Sequence, residues 1–177
     1  MPPGPTDRMP HADPSLDRVR SRHPGYPSEA ADAVRGARLL AKTLQDHSNG
    51  QLAALGLNHP EYQILLALSG APDGHLSPTE LKTAVGEKAA NLTRLADQLV
   101  ARGWLQRRVC TSDRRKMDLA LTPAGDALLA QALPLVSADL RAMTDGFSPR
   151  ELAQLTQLQR KLLDRLHTLA QEDRTRG

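Results

Sequence analysis

The sequence predicts a mainly α-helical protein built on a winged helix-turn-helix with a two-stranded β wing, and three observations carry that prediction. Of the 177 residues 40% are hydrophobic but only 2% aromatic, so the core must be made of Leu, Ala and Val, which suits packed helices better than a sandwich or barrel. Two copies of one helix-start device occur, "SPTEL" at 77–81 and "SPREL" at 148–152. Each reads as an N-cap serine, a proline at the first helical position and a glutamate reaching back from the third. Finally, "WLQRRV" (104–109) and "KMDLAL" (116–121) both alternate polar with apolar residues, as the two arms of a hairpin do, with "CTSDRR" between them as the turn.

In chain order, seven of the thirteen prolines fall within residues 1–27 (Pro2, Pro3, Pro5, Pro10, Pro14, Pro24 and Pro27). That stretch is expected to be a flexible arm without regular helix or central strand. Ser28 reads as the N-cap of a long helix in which Val34, Ala37, Leu40, Ala41 and Leu44 share one face, with Gly50 weakening it and Gly56 closing it. Asn58 and Pro60 open "PEYQILLALSG", apolar nearly all round and so predicted to be buried. A short helix from 78 to about 85 stops at Gly86, and a second spans 88–102 before Gly103 takes the left-handed conformation. In the hairpin, Leu105 and Val109 share a face with Met117, Leu119 and Leu121. Thr122 and Pro123 start a further helix that Pro134 should kink. The last helix spaces Leu152, Leu155, Leu158, Leu162, Leu166 and Leu169 by threes and fours, a seam for packing against another helix, of the same or a second subunit.

The net charge is only +3, yet residues 82–116 hold nine bases (Lys82, Lys88, Arg94, Arg102, Arg107, Arg108, Arg114, Arg115, Lys116) against three acids (Glu87, Asp97, Asp113). A field concentrated on one segment implies a polyanion docking there, although a merely solvated basic face has the same signature. No run of about 18 apolar residues exists to span a membrane. "MPPGPTDRMPHADPSLDR" has no apolar stretch to form the core of a signal peptide, and a cytoplasmic protein is expected. A single cysteine, Cys110, excludes an internal disulfide framework and a multi-cysteine metal site. The six histidines show no ligand spacing, so no metal is expected. No phosphate-cradling glycine loop, nucleophile elbow or paired catalytic carboxylates appear, which argues against an enzyme and leaves no cofactor to expect. Two helices joined at Gly86 and followed at once by a basic hairpin describe a module whose second helix fits the major groove of DNA while the hairpin tip follows phosphates or the minor groove.

The segment "LSPTELKTAVGEKAANLTRLADQLVARGWLQRRVCTSDRRKMDLALTPAG" resembles the winged-helix core of the MarR family of bacterial transcriptional regulators, with "DRR" followed by "LT" and Gly as its most specific mark. "RHPGYP" (22–27), "LGLN", "NLTRLADQL" and "RGW" further resemble its EmrR/MprA-type multidrug-efflux repressor branch. The resemblance covers roughly residues 22–170. It implies a homodimer with intertwined first and last helices, a palindromic double-stranded DNA operator, and release when a small aromatic or lipophilic effector binds between the dimer helices and the winged domain. The corresponding division is a 1–27 arm, a 28–57 and 123–172 helical dimerisation region, a 58–122 winged helix-turn-helix and a 173–177 tail.

Carried over by position, the recognition helix presents Ala90, Asn91 and Arg94 to the groove. Arg94 is expected to pair with guanine, or else with phosphate. Asn91 would read adenine or cap the helix start, and Lys88 and Thr93 would touch phosphate. Leu92, Leu95 and Leu99 are expected in the core. At the wing, Asp113 is expected to brace an arginine, with Arg114 and Arg115 dividing minor-groove and phosphate contacts between them. Arg35 or Arg38 would pair with an anionic group of the effector, Tyr62 would supply a ring wall, and Tyr26 would close the pocket. Two other readings stand beside this one: a helical protein-interaction module that has lost DNA, and a redox-sensing regulator using Cys110, whose thiol the nearby arginines would acidify.

Overall fold

The computed structural model describes residues 14–109 and 117–176. The wing residues Cys110, Asp113, Arg114 and Arg115 therefore lie outside the described residues. Among the described residues, seven α-helices and three short strands occur in the order α1 (Pro14–Arg22), α2 (Ser28–Leu52), α3 (His59–Ser69), β1 (His75–Leu76), α4 (Pro78–Val85), α5 (Ala89–Ala101), β2 (Leu105–Val109), β3 (Met117–Leu121), α6 (Pro123–Met143) and α7 (Pro149–Arg176). Two compact units divide the chain, one to Val136 and the other from Ser137.

The helix boundaries follow the local chemistry. Asn58 closes a capping box on α3, accepting from the Glu61 amide at 2.9 Å while the Glu61 carboxylate accepts from the Asn58 amide at 3.0 Å. Ser77 with Glu80 and Ser148 with Glu151 do the same for α4 and α7. Hydrogen bonds from the serine hydroxyl and amide hold the carboxyls of Glu80 and Glu151 below the ordinary glutamate range. Gly86 and Gly103 adopt φ of 70° and 74°, the left-handed conformation that ends a helix without strain.

Several expectations are corrected. The proline-rich arm contains a regular helix, α1, because Pro14 sits at its first position, where the missing N–H costs nothing. Arg20 ties that helix to Asp32 of α2 at 2.6 Å. Ser28 is the first residue of α2 rather than its cap; Pro27 takes the cap position and the Ser28 hydroxyl donates back to the Tyr26 carbonyl at 3.3 Å. A 3₁₀ turn (Ala53–Leu55) intervenes before Gly56. Rather than leaving a tail from 173, α7 runs to Arg176, since no Gly or Pro interrupts it.

The sheet has three strands in the order β1-β3-β2, so the hairpin gains a partner that the sequence reading lacked. Leu105 pairs with Leu121 and Val109 with Met117, and β1 adds Leu76 opposite Leu119. The alternation in the hairpin holds only near its base. Leu105 and Leu119 are buried, while Val109 is 55% and Met117 42% exposed. Asp118, on the other face of β3, is buried because His75 covers it, with Nδ1 3.2 Å from Oδ2.

One core serves the first unit. Leu52 of α2, Tyr62, Ile64, Leu65 and Leu68 of α3, Leu81 of α4, Leu92, Leu95, Ala96 and Leu99 of α5, the strand leucines, and Leu129 and Ala132 of α6 form one buried cluster. α6 belongs to the first unit up to Val136 and continues through Pro134 without interruption.

Gly125 is the tightest point of this unit. A Cβ built there would stand 2.0 Å from the Trp104 carbonyl oxygen. Gly125→Ala is thus expected to force backbone apart and to lower stability by about 1–3 kcal/mol or more, the usual cost of overpacking. Thermal denaturation checks this, and a wild-type melting temperature would refute the close approach.

Candidate nucleic-acid interface

Two helices and a turn form the centre of the site. α4 ends at Gly86, and Lys88 takes the extended cap position that starts α5. Leu92, Leu95 and Leu99 are 4%, 1% and 0% exposed, anchoring one face of α5 in the core as expected. That anchoring turns the opposite face outward: Lys88, Ala90, Thr93 and Arg94 are exposed and Asn91 is half-buried. All five expected recognition-helix residues are thus at least partly accessible, away from the leucine face. Arg107 of β2 reaches the same helix through Asp97, and Arg108, the next residue of the strand, is also exposed.

On this surface the polar side chains are organised. The Asn91 amide nitrogen donates to Glu87 Oε2 at 2.7 Å and its oxygen accepts from Arg94 at 2.8 Å. Arg94 also donates to Gln98 Oε1 at 2.9 Å. The Thr93 hydroxyl donates to the Ala89 carbonyl at 3.0 Å, back-bonding within the helix. Asp97 is ion-paired with Arg107, linking α5 to the first wing strand. Sequence reasoning counted Glu87 and Asp97 only as acids and passed over Gln98. The signal for Glu87 and Gln98 was their spacing of three and four along one helix face with Asn91 and Arg94.

The far end of α5 is fixed by a second group of contacts. Arg102, its C-cap, donates to the Gly56 carbonyl at 2.9 Å, lies 3.4 Å from the carboxylate of Glu61, and stacks 5.1 Å from the centroid of Trp104. Glu61 is 2% exposed, so its charge depends on this partner and on the Asn58 cap. Directly after it, the Thr122 hydroxyl donates to the Gly103 carbonyl at 2.7 Å and accepts from the Gly125 amide at 3.0 Å.

Other expected site residues are dispersed. Tyr62 is 5% exposed and packed in the core, where burial raises its hydroxyl pKa; this corrects its expected place on a ligand wall. Arg35 and Arg38 are exposed on α2, and Tyr26, 42% exposed, borders an open depression with Pro27, Ser28, Glu29 and Ala30. A cavity of about 120 Å³ instead opens behind the recognition helix, lined by Pro78, Leu92, Thr93, Ala96, Arg107, Met117 and Leu119. Among the described residues, no cluster of three or more His, Cys, Asp or Glu side chains could hold a metal, and no helix is long and apolar enough to cross a membrane.

A helix-turn-helix with a basic accessible face, followed by a strand pair that carries more bases, defines a winged-helix DNA-binding protein. The family model described as MarR family matches residues 55–116. Over 152 residues, 86% of this chain and 86% of the relative, the sequence is 34% identical to the transcriptional repressor MprA of Escherichia coli K12. Among solved structures it is similar to a mutant MarR of Escherichia coli complexed with operator DNA, at 28% identity and a TM-score of 0.69 over 76% of this chain and 96% of that one. It is likewise similar to BpsR of Bordetella bronchiseptica, at 25% identity and a TM-score of 0.63 over 72% and 92%. The chain belongs to the MarR family of transcriptional regulators, and it is not an enzyme.

The Arg102 contacts yield a stability prediction. Arg102→Met leaves the Glu61 carboxylate buried without its cation and should cost about 1–3 kcal/mol. Glu61→Gln, which keeps an acceptor for the Asn58 amide but removes the charge, should recover most of that loss in the double variant. Chemical denaturation of the three variants checks it; fully additive losses would mean that the ion pair is not what Arg102 supplies.

Proposed function

We propose that the protein is a homodimeric repressor that reads a palindromic operator through α5 and the wing and is released by a small aromatic or lipophilic effector. The observation that carries the DNA half is the shared accessible face of Lys88, Ala90, Asn91, Thr93 and Arg94, adjoining the bases of β2. Arg94 and Asn91 meet base edges in the major groove; Lys88 and Thr93 meet phosphates, as do the wing arginines Arg114 and Arg115, with Asp113 as their brace. Support comes from the relatives: MprA is named a transcriptional repressor, and the mutant MarR is complexed with operator DNA.

Dimerisation is supported by apolar surface that each unit leaves uncovered. In α2, Val34, Leu39, Leu40 and Leu44 are 40–45% exposed, and in α7 Leu158, Leu163 and Leu166 are 52–57% exposed. Leucines at such spacing along a long helix would aggregate if left to water, and a second copy of the same helices covers them symmetrically. Two half-sites on the operator follow from that two-fold symmetry.

The experiment for the DNA reading is gel shift against a duplex selected by the wild-type protein. Arg94→Ala should weaken binding by about 1–3 kcal/mol and relax base preference, as loss of a bidentate base contact does. Arg114→Ala and Arg115→Ala should instead weaken binding to all sequences and flatten its salt dependence. Wild-type affinity in all three variants would refute this docking.

For the effector, BpsR offers a related case, its DNA binding being regulated by 6-hydroxynicotinic acid. The cavity behind α5 has apolar walls from Leu92, Ala96, Met117 and Leu119 for an aromatic ring, with the Thr93 hydroxyl at its edge and the Arg107 guanidinium, which an acidic ligand would have to share with Asp97. The second place to test is α2, where Arg35 and Arg38 are exposed, although the depression beside Tyr26 is lined by Pro27, Ser28, Glu29 and Ala30 and not by them. A thermal-shift screen with hydroxybenzoates should raise the melting temperature, because a ligand binding only the native state stabilises it. The shift should vanish in Arg107→Gln if the cavity is the site, and in Arg38→Gln if the α2 site is; a shift retained by both variants would rule out both locations.

A further inference from the structure

The ladder along α5 assigns a role to Glu87, a residue outside the recognition set described above. Of the three acids in the basic segment 82–116, Asp97 is paired with Arg107 and Asp113 lies outside the described residues, whereas Glu87 sits in the turn immediately before the reading helix. An anion there repels phosphate and lowers affinity for every DNA sequence. Its contact explains why an acid is useful at that position.

A carboxylate only accepts hydrogen bonds, so the Asn91 amide can face Glu87 only with its NH₂ group, and it does so at 2.7 Å. The amide oxygen is thereby turned toward Arg94, which only donates, and receives a hydrogen bond of 2.8 Å. Arg94 is then held from its other side by Gln98 Oε1 at 2.9 Å. Every link has one permitted polarity, and the Asn91 amide is held in it from both ends, by Glu87, which only accepts, and by Arg94, which only donates. Both reading side chains keep the groups that bases need. Asn91 retains one N–H and one lone pair, the donor and acceptor that adenine N7 and N6 require, and Arg94 retains three of its five N–H groups for guanine.

We propose that Glu87 is a positioning residue that fixes the Asn91 amide, and through it the Arg94 guanidinium, so that the two read adjacent bases as one unit. This rests on the reading of α5 as the recognition helix. Fixing both side chains before contact removes the entropy otherwise lost on binding, and it acts only on sequences whose bases match the fixed groups. Glu87 therefore trades general affinity for discrimination.

The test uses the full-length protein and a library of randomised DNA duplexes, sequenced after selection. Affinities are then measured for the winning duplex and for an unrelated duplex. Glu87→Ala should lose base preference at the Asn91 and Arg94 positions, lose roughly tenfold or more in affinity for the winning duplex, and bind the unrelated duplex as well as or better than wild type. Glu87→Gln, which still offers an acceptor oxygen to Asn91, should retain the motif. Once Asn91 is alanine, adding Glu87→Ala should change neither the motif nor the affinity for the winning duplex, because Glu87 acts through Asn91. An unchanged motif in Glu87→Ala, an equal loss on both duplexes, or additivity with Asn91→Ala would each overturn the proposal. A wild-type protein that enriches no motif would instead overturn the recognition-helix reading itself, which separates the two failures.

Discussion

The Thr122 clasp is the contact on which the placement of the wing depends. The Thr122 amide bonds the Trp104 carbonyl at 3.1 Å, and its hydroxyl bridges the Gly103 carbonyl and the Gly125 amide. These contacts join the end of the reading helix, the first residue of the hairpin and the first turn of α6 within a few ångströms. The backbone of α6 is pressed so close to Trp104 that only glycine fits at 125. Once that corner is closed, Leu105 must pair with Leu121 and the remaining register of β2 and β3 follows. The base of the hairpin is thus held by backbone atoms, and the Asp97–Arg107 pair adds a side-chain contact from α5 to β2.

Arg102 holds the same corner from the other side. Its contacts with the Gly56 carbonyl, Glu61 and Trp104 tie the C-terminus of α5 to the start of α3, which Glu61 also caps. The reading helix is thus clamped at its C-terminal end by buried and partly buried groups and along one face by Leu92, Leu95 and Leu99. Its N-terminal half, which bears Ala90, Asn91 and Arg94, projects from this fixed base. A DNA-reading surface gains precision when its support is built of core and backbone contacts, because a side chain displaced by an ångström no longer meets a base edge.

Legibility in the sequence followed the range of the interactions. The capping serines, Asn58 and the glycines at 86 and 103 act within four or five residues, and each marked a helix end where the structure has one. The apolar face of α5 was legible for the same reason, since Leu92, Leu95 and Leu99 lie a turn apart. β1 was not legible, because two residues have no period and His75–Leu76 becomes a strand only through pairing with β3. Nor was the burial of Asp118, which His75 covers from 43 positions away in the chain. Tyr62 carries no local sign of whether its ring faces a ligand or the core; the packing of α3 against its neighbours decides for the core. The helix within the proline-rich arm was hidden by composition, since proline disfavours a helix interior but suits its first position.

Charge placement explains how a protein of net charge +3 can serve a polyanion with discrimination. Bases alone would bind any duplex, because phosphate attraction carries no sequence information. Around α5 the acids limit that attraction. Asp97 occupies Arg107, so one base of the wing root is committed to positioning β2 on the helix. Glu87 accepts from the Asn91 amide nitrogen, whose oxygen in turn accepts from Arg94. A segment with nine bases and no acids would attract phosphate more strongly, and phosphate attraction by itself carries no sequence information.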